Sequence, residues 1–531
     1  MKLSDLHTHP SLKPFQNRNE PNNTFQDMWN GVIGRNSLFF KIGWLVRSQI
    51  KETARDSQSH LNEFISGGMQ TACVVVHPVE QGWFMRPKRK GRWFFKLIFK
   101  LLLNDRKLAV LAASLTGIPL DETRKLILEG NRFSGTDYFS NQTFPEYEYI
   151  RSQENKIATF GHTYELVKDF KSYEKAKDAG KIPLFLSVEG GHALLNYTDG
   201  KMFRKEYEEL SEEERKFLKD DLVRNIARIK GEEGSFFSPN HTPIYLTLTH
   251  MYQNHLAGHC RSFTQGGTLT PGIADLLDQT TGLNKGLTDL GRTAIDLLTS
   301  TENGARILID VKHLSVSARK EYYEIAREKN LPVIGSHVAM AGVGQFPDDP
   351  GDRKKDHDSN FFSRWSINFS DEDAQVIHET DGIVGFAIHE GRMPGGKAAK
   401  RLKKIKKHIK NGIELEETLR AAYMKILMSN VFQFVYAIGE KAAWTRMMIG
   451  SDYDGIMDPF DIYPKTSYFN RFIYDFQQFL ESPQELVASR NDVESTLSVS
   501  EIKDMMHGYT AAEICEMVAL KNFENFISRH F

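Results

Sequence analysis

Residues 307–337 read ILIDVKHLSVSARKEYYEIAREKNLPVIGSH, and this stretch decides the fold. Two apolar, β-rich runs, Ile307–His313 and Pro332–His337, flank a helical pattern at Ser317–Lys329. Each run is continuously apolar rather than alternating, which is typical of a strand buried on both faces of a parallel sheet. Each run also ends in a histidine. The stretch therefore predicts a strand–helix–strand unit with polar side chains at the carboxyl ends of its strands.

The same pattern recurs along the whole chain. Runs of this kind lie at Met1–His7, Thr71–Val79, Pro183–Glu189, Ile244–His250, Ile307–His313, Pro332–His337, Gly382–Ile388 and Met447–Asp452. Helical patterns lie between most of them, at Tyr164–Ala179, Glu212–Lys230, Leu287–Ser300, Ser317–Lys329 and Asp371–Thr380. Alternation alone would also fit an open doubly wound sheet, but eight such runs favour a closed (β/α)₈ TIM-type barrel. We expect one α/β domain over residues 1–531.

Three segments interrupt this rhythm. Gln81–Ser152, after strand two, is basic at its start and amphipathic over Trp93–Leu115. We expect it to cover the barrel mouth as a lid, the alternative being a helix on a membrane surface. Ala339–Arg364, after strand six, is a Gly- and Asp-rich loop insertion, and Lys397–Lys410 is a basic helical segment whose simplest interpretation is a solvated helix face.

Composition narrows the function classes. The formal net charge of −1 and the apolar content of 40% are those of an ordinary globular protein, with no global reason to bind nucleic acid. Cys73, Cys260 and Cys515 are far apart, so neither a disulfide framework nor a thiolate zinc site is predicted.

A polar motif begins at His7, too early for a secretory leader, and no run resembles a membrane span. We expect a cytoplasmic protein without membrane contact, and leave a homodimer open.

Seven of the eight runs end in or next to a histidine or a carboxylate. These residues are His7 and His9, His77, Glu189, His250, His313, His337 and Asp452. The carboxyl ends of barrel strands lead into the loops that build the active site. A single histidine at a strand end is usually a core residue, but seven such endings on one face predict a functional site.

The first endings have the spacing of metal ligands. His7 and His9 are two residues apart on an extended segment, so both imidazoles point to the same side and can bind one ion. Glu189 precedes Gly190 and Gly191, which allow a close backbone approach and suit a carboxylate that bridges two cations.

The strand ends later in the chain supply ligands for a second metal ion. His313 and His337 are natural ligands for a second ion, and Asp452 would lie near the first. Nitrogen and oxygen ligands without thiolates favour zinc, with manganese, iron or cobalt as alternatives. Two such ions, roughly 3.5–4 Å apart, lower the pKa of a shared water and polarise a carbonyl. Attack by the bridged hydroxide would then need no serine or cysteine nucleophile.

Six motifs, taken together, identify a family. They are Val188–Leu194 (VEGGHAL), Leu246–His250 (LTLTH), Gly286–Arg292 (GLTDLGR), Ile309–His313 (IDVKH), Gly335–His337 (GSH) and Gly450–Gly455 (GSDYDG). In this order they resemble the membrane (renal) dipeptidase family, peptidase family M19 of the amidohydrolase superfamily. The resemblance implies a TIM-type barrel with two divalent metal ions that hydrolyses the amide bond of a dipeptide or a related small molecule.

The resemblance also implies roles for particular residues. It gives metal-binding roles to His7, His9, Glu189, His313, His337 and Asp452. Glu189 would bridge the ions, and Asp452 would also move the proton of the attacking water. His250 would contact the substrate carbonyl and stabilise the oxyanion. His77 has no metal role in the family, and we expect His192 to support its loop.

The sequence departs from the family at two places. His9 stands where the family usually has an aspartate. In the family, a basic residue just ahead of a particular segment binds the substrate's C-terminal carboxylate. That segment corresponds to Arg364–Asp371 here, and Arg364 lies a few positions away from the place of the family's basic residue. We predict Arg364 as a substrate-binding residue on this basis.

The sequence would also fit two functions other than that of a dipeptidase-like enzyme. The changed His9 and the insertions would also fit a superfamily relative that acts on another amide, an ester or a lactone. A barrel without catalysis could instead bind a membrane or a partner through Trp93–Leu115 and Lys397–Lys410. The presence of every expected ligand position argues against this last hypothesis.

Overall fold

The computed structural model describes residues 1–19, 27–31, 57–86, 104–157, 161–232, 236–263, 277–348, 350, 360–483, 487–489 and 496–531. Its main sheet has nine parallel strands, eight of which pair in chain order. They are β1 (Leu3–Thr8), β2 (Met69–Val76), β3 (Ile182–Glu189), β4 (Tyr245–Thr247), β5 (Leu308–Asp310), β6 (Ile334–Val338), β7 (Ile383–Phe386) and β8 (Met447–Ile449). Each strand overlaps one of the eight predicted runs, so the predicted fold is confirmed.

The sheet closes between its first and last strands. The Asp452 amide donates a hydrogen bond to the His7 carbonyl at 2.9 Å, and the His9 amide donates one to the Tyr453 carbonyl at 2.9 Å. Beside this seam, the buried Asp5 carboxylate accepts hydrogen bonds from the Ser451 amide at 2.9 Å and the Ser451 hydroxyl at 2.5 Å. The seam therefore joins the two strand ends that carry His7, His9 and Asp452.

The barrel interior is filled by one buried side chain from each strand. This layer consists of Leu6, Cys73, Phe185, Tyr245, Leu308, Ile334, Ile383 and Met448. Phe523, Phe526 and Ile527 of the C-terminal helix pack against the same layer. The barrel is a packed core rather than a pore, so polar side chains at the strand ends lie on an apolar floor.

Helices surround the barrel. The α-helices of the described residues are Leu12–Gln16, Leu61–Gly67, Asp105–Thr116, Leu120–Asn131, Phe144–Ser152, Phe170–Asp178, Glu212–Ile229, Asp289–Thr299, Val316–Lys329, Asp371–Glu379, Gly396–His408, Gly412–Ile438, Phe469–Glu481, Val499–Met505, Ala511–Glu516 and Asn522–His530. Short strand pairs join Ser134–Asp137 to Asn196–Asp199 and Val487–Ala488 to Thr496–Leu497.

One helical prediction was wrong. Tyr164–Ala179 does not form a single helix: Tyr164–Val167 is a strand that pairs in parallel with the start of β3, and the helix spans only Phe170–Asp178. The Asp169 side chain accepts a hydrogen bond from the Ser172 amide at 2.8 Å and caps the helix start. Because this cap sets the start of the helix at Phe170, the apolar residues Tyr164–Val167 before it can pair with the edge of β3.

The sequence analysis also overlooked one apolar helix. Gly412–Ile438 has the length and composition of a membrane span, but most of its apolar part is buried inside the protein. Its buried side chains, including Tyr423, Phe432 and Phe434, belong to the main hydrophobic core.

The first insertion builds a second core at the mouth of the barrel. Helices Asp105–Thr116 and Leu120–Asn131 pack with Trp83, Met251 and Leu12 in one apolar cluster. Residues 93–103 of the amphipathic stretch lie outside the described residues. The cluster includes residues that follow β1, β2 and β4, and the lid function remains a prediction.

The basic segment forms helix Gly396–His408, as its composition predicted. Leu402 and Ala398 are buried, while most of its lysines are exposed. Lys406 is an exception, since its ammonium contacts Glu390 and Asp461 at 2.7 Å. The other basic side chains form the solvated face that the sequence suggests.

Candidate metal centre

Side chains from seven strand ends converge at one end of the barrel. They are His7 on β1 and His9 after it, His77 after β2, Glu189 on β3, His250 after β4, His313 after β5, His337 on β6 and Asp452 after β8. All are buried, with exposed fractions between 0% and 8%. The structure thus brings together every residue that the sequence analysis predicted as a metal ligand, and His77 and His250 with them.

Glu189 lies at the middle of this cluster. Its Oε1 lies 3.4 Å from His7 Nε2, 3.6 Å from His313 Nε2 and 3.8 Å from His337 Nε2. Its Oε2 lies 3.0 Å from His77 Nδ1, 3.4 Å from His9 Nε2 and 3.7 Å from His250 Nε2. Each carboxylate oxygen therefore faces three imidazoles. This arrangement suits a carboxylate that bridges two neighbouring metal positions.

Asp452 joins the cluster from the β8 end. Its Oδ1 lies 3.4 Å from His9 Nε2 and 3.9 Å from His7 Nε2. Asp452 and His313 both have positive φ angles, of 58° and 67°, which are rare for residues with a side chain. Such backbone strain concentrates at functional sites, where the surrounding structure maintains it.

Hydrogen bonds around the cluster assign the protons on two of the histidines. The Tyr245 hydroxyl donates to the Leu6 carbonyl at 2.7 Å, so at 2.9 Å it accepts from His7 Nδ1. The Ser336 hydroxyl donates to Asp310 at 2.6 Å, so at 2.8 Å it accepts from His337 Nδ1. A neutral imidazole with its proton on Nδ1 presents a lone pair at Nε2. Both lone pairs point into the cluster.

This donor set fits metal ions. His7 Nε2 lies 3.1 Å from His9 Nε2, and His313 Nε2 lies 3.1 Å from His337 Nε2. Among the described residues, no donor makes a hydrogen bond to Glu189 Oε1 or Asp452 Oδ1, although both atoms are buried. Converging nitrogens and unbonded carboxylate oxygens require a positive charge between them, which divalent cations supply. Four overlapping triads of these side chains have the spacing of a metal site.

The pKa values of three histidines agree with this. Burial holds the pKa values of His9, His313 and His337 well below the usual range, because the charged imidazolium loses its hydration. Neutral imidazole is the form that binds metal. Burial, and next the negative charge of Glu189, raise the pKa of Asp452 to about 7.

His250 differs from the other histidines because it has a carboxylate partner. Its Nδ1 donates to Glu80 Oε2 at 2.7 Å, and Glu80 Oε1 accepts from the Met251 and Tyr252 amides at 3.0 and 2.9 Å. Burial by itself would lower the pKa of His250. The negative charges of Glu189 and Glu80 outweigh burial and raise this pKa to about 9. The positive charge of His250 in turn lowers the pKa of Glu80 to about 2. His250 is thus a charged donor whose Nε2 faces the centre.

Glu80 was not among the predicted site residues. Its only sequence signal is its position three residues after His77, in the loop that follows β2. The partner His250 is 170 residues away in the chain, so the pair exists only in the folded barrel. His192, which we expected to support its loop, lies 2.8 Å through Nε2 from the Pro78 carbonyl of the same segment.

A cavity opens beside the metal centre. Its walls include His250, His313, His337 and Asp452, the apolar side chains Met251, Ala387 and Ile456, and two cationic residues, Lys312 and Arg392. Burial, and next the nearby Arg392, lower the pKa of Lys312 to about 7, and burial lowers that of Arg392 to about 10. The sequence analysis named neither residue. The half-buried Arg364 is not among the described residues that line this cavity.

Comparisons with known proteins give structural matches alone. No protein-family model and no curated protein matches the chain. A dipeptidase described as a metallopeptidase of family M19 aligns at 12% identity over 100% of this chain and 98% of that one, with a TM-score of 0.49. A Rhodobacter sphaeroides metallopeptidase bound to a phosphinate mimic of L-Ala-D-Ala aligns at 12% identity over 100% and 99%, with a TM-score of 0.45. A probable dipeptidase from Pseudomonas aeruginosa aligns at 12% identity over 89% and 88%, with a TM-score of 0.43.

Proposed function

We propose that this protein is a metal-dependent hydrolase with two divalent metal ions, which cleaves the amide bond of a dipeptide or a related small amide. The observation that carries the proposal is the position of Glu189, whose two oxygens each face three buried imidazoles. His7, His9 and Asp452 would hold one ion, His313 and His337 the other, and Glu189 both. The nitrogen and oxygen donors favour zinc, with manganese, iron or cobalt as alternatives.

The ions, when bound, supply Lewis-acid chemistry, because they acidify water and polarise a carbonyl. His250 then stabilises negative charge on the substrate oxygen, since its Nε2 faces the centre and Glu80 keeps the ring charged. The Asp452 carboxylate accepts the proton of the attacking water and delivers it to the departing amine. The apolar layer of the barrel interior excludes water from beneath these groups.

A second candidate is hydrolysis of a different amide, an ester or a lactone. Its support is His9, which replaces the aspartate usual in the family and leaves the first ion with less negative charge. The same residues would act in both reactions, so only the substrate distinguishes them.

Elemental analysis tests the metal centre. We expect about two transition-metal ions per chain after purification, and Glu189→Gln should lower the occupancy of both positions because its carboxylate serves both. A screen of L,L-, L,D- and N-acyl dipeptides on the metal-loaded protein then tests the reaction. A metal content near zero after supplementation with zinc or manganese would contradict the proposal.

A further inference from the structure

Asp310 is a fully buried carboxylate at the end of β5. Its Oδ1 accepts hydrogen bonds from the Lys312 amide at 3.1 Å and from the Ser336 amide at 3.0 Å. Its Oδ2 accepts from the hydroxyls of Thr247 and Ser336, both at 2.6 Å. These four donors fill the acceptor positions of an ionised carboxylate, which has no hydrogen to give. The Ser336 hydroxyl therefore has to donate to Asp310.

Ser336 connects this carboxylate to the imidazole of His337. The hydroxyl has one hydrogen, which goes to Asp310. At 2.8 Å from His337 Nδ1 the hydroxyl oxygen can therefore only accept, so the imidazole carries its proton on Nδ1. The lone pair then lies on Nε2, which is 3.1 Å from His313 Nε2 and 3.8 Å from Glu189 Oε1. The direction of one hydroxyl thus decides whether His337 presents a lone pair or an N–H to the second metal position.

A second buried carboxylate repeats the arrangement without the imidazole. Asp5 accepts from the His7 amide at 3.1 Å, the Ser451 amide at 2.9 Å and the Ser451 hydroxyl at 2.5 Å. Ser451 and Ser336 each stand between a glycine and a predicted metal ligand, in GSD and GSH. The Ser451 hydroxyl, however, accepts from the Tyr453 amide at 3.1 Å. Asp5 therefore supports strand ends as Asp310 does, but it is not connected to a histidine ring in this way.

We propose that Asp310 is a positioning residue, which acts through Ser336 to keep His337 in its metal-binding tautomer. This proposal rests on the proposed function, because it concerns the second metal position, the one assigned to His313 and His337. The connection from Asp310 through Ser336 to His337 is called the relay below.

The relay predicts what an amide in place of the carboxylate would do. In Asp310→Asn, the two backbone amides keep the side-chain oxygen on their side, so an N–H faces the Ser336 hydroxyl. The hydroxyl would then accept from that N–H and donate to His337 Nδ1. The imidazole proton would move to Nε2, where a metal ion needs the lone pair. A change that keeps the shape of the side chain should therefore weaken the second metal position.

Chelator competition on the zinc-loaded protein tests the relay. The zinc released is measured against chelator concentration, and His313→Ala identifies the step that belongs to the second position. We expect Asp310→Asn to weaken zinc binding there by roughly 10- to 100-fold, and Ser336→Ala by roughly three- to tenfold, because no hydroxyl then imposes a tautomer. The double variant Asp310→Asn/Ser336→Ala should bind zinc as Ser336→Ala does. A role in packing alone predicts no such recovery.

Asp5→Asn is the matched control, because it makes the same change in an equally buried carboxylate. Zinc binding at the second position should then stay within about twofold of the wild type. An equal loss with Asp5→Asn, or a double variant that binds no better than Asp310→Asn, would overturn the relay and leave the proposed function standing. If Asp310→Asn does not fold, an unchanged affinity of Ser336→Ala would overturn the relay.

The proposed function fails separately from the relay. Recovery of zinc binding in the double variant, without hydrolysis of any amide by the wild-type protein, would overturn the proposed hydrolysis alone. A wild-type protein that binds no zinc, manganese, iron or cobalt would overturn both.

Discussion

Gly455 is a glycine because metal-centre side chains occupy the space beside it. A Cβ atom at this position would collide with Asp452 Oδ1 and would lie 2.7 Å from His9 Nε2. Gly455 lies three positions after Asp452, which has a positive φ angle and whose Oδ1 lies 3.4 Å from His9 Nε2. At the scale of single residues, the centre therefore depends on a small neighbour as well as on its ligands.

Gly455→Ala should displace Asp452 and His9 and weaken metal binding by roughly 10- to 100-fold, the usual effect of a misplaced ligand support. Metal titration measures this, and circular dichroism checks that the barrel persists. Gly412→Ala is the matched control, because a Cβ there meets nothing within 4 Å. Equal metal affinities for the two variants would show that the cluster tolerates the methyl group.

Glu80 acts through His250, which makes it a positioning residue. Glu80→Gln removes one of the charges that raise the pKa of His250 to about 9, so the charged imidazolium should be lost at a lower pH. We expect the alkaline limb of the pH profile of kcat to move to lower pH. We also expect kcat to fall, by at most the roughly 10²–10³-fold that removal of an oxyanion donor costs. Metal content should not change. An unaltered pH profile would argue against this role.

At the scale of elements, the loop after β2 brings two residues to the centre. Pro78 separates His77 from Val79 and Glu80, and the His77 amide donates to Glu146 Oε2 at 2.8 Å. Glu146 belongs to helix Phe144–Ser152, and its Oε1 accepts from the Ser11 hydroxyl at 2.7 Å. One helix of the first insertion thus ties together the loops that follow β1 and β2.

His77 is expected to be an additional metal-binding residue, since its Nδ1 lies 3.0 Å from Glu189 Oε2. His77→Ala should lower metal affinity by roughly 10- to 100-fold. His192→Ala is the matched control, because this neighbouring buried imidazole contacts the Pro78 carbonyl instead. If both variants bind metal as the wild type does, His77 is a packing residue.

At the scale of the whole molecule, the metal centre lies above the barrel seam. β1 supplies His7 and His9, β8 leads to Asp452, and backbone hydrogen bonds join the two strand ends. Ions held by the proposed ligands would link five strand ends that are distant in sequence, those of β1, β3, β5, β6 and β8. Metal binding and folding would therefore be coupled through the closure of the barrel.

Removal of metal should lower the stability of the whole chain. An ion that binds only the folded state, at 100 times its Kd, adds about 2.7 kcal/mol to the free energy of unfolding. A chelator should therefore lower the midpoint of denaturant unfolding, and zinc or manganese should restore it. Glu189→Gln should show a smaller response to both. Identical midpoints with and without chelator would contradict the coupling.

Much of the fold follows from local patterns in the sequence. The eight strands were predicted because buried parallel strands are continuous apolar runs, and His7, Glu189, His313 and Asp452 were predicted because polar residues at such strand ends face one side of a barrel. Tyr164–Val167 was misread because a short apolar run beside a helix has no periodicity of its own.

The tertiary structure alone decided the partners of those residues. Glu80 pairs with His250, Tyr245 assigns the proton of His7, and Lys312 and Arg392 enter one cavity from different strands. These relations depend on side-chain direction and on contacts between distant segments, which a linear pattern does not contain. The residue types at the mouth of the barrel follow from the order of residues along the chain. Their burial and spacing, which decide what they can bind, arise only when the eight strands close.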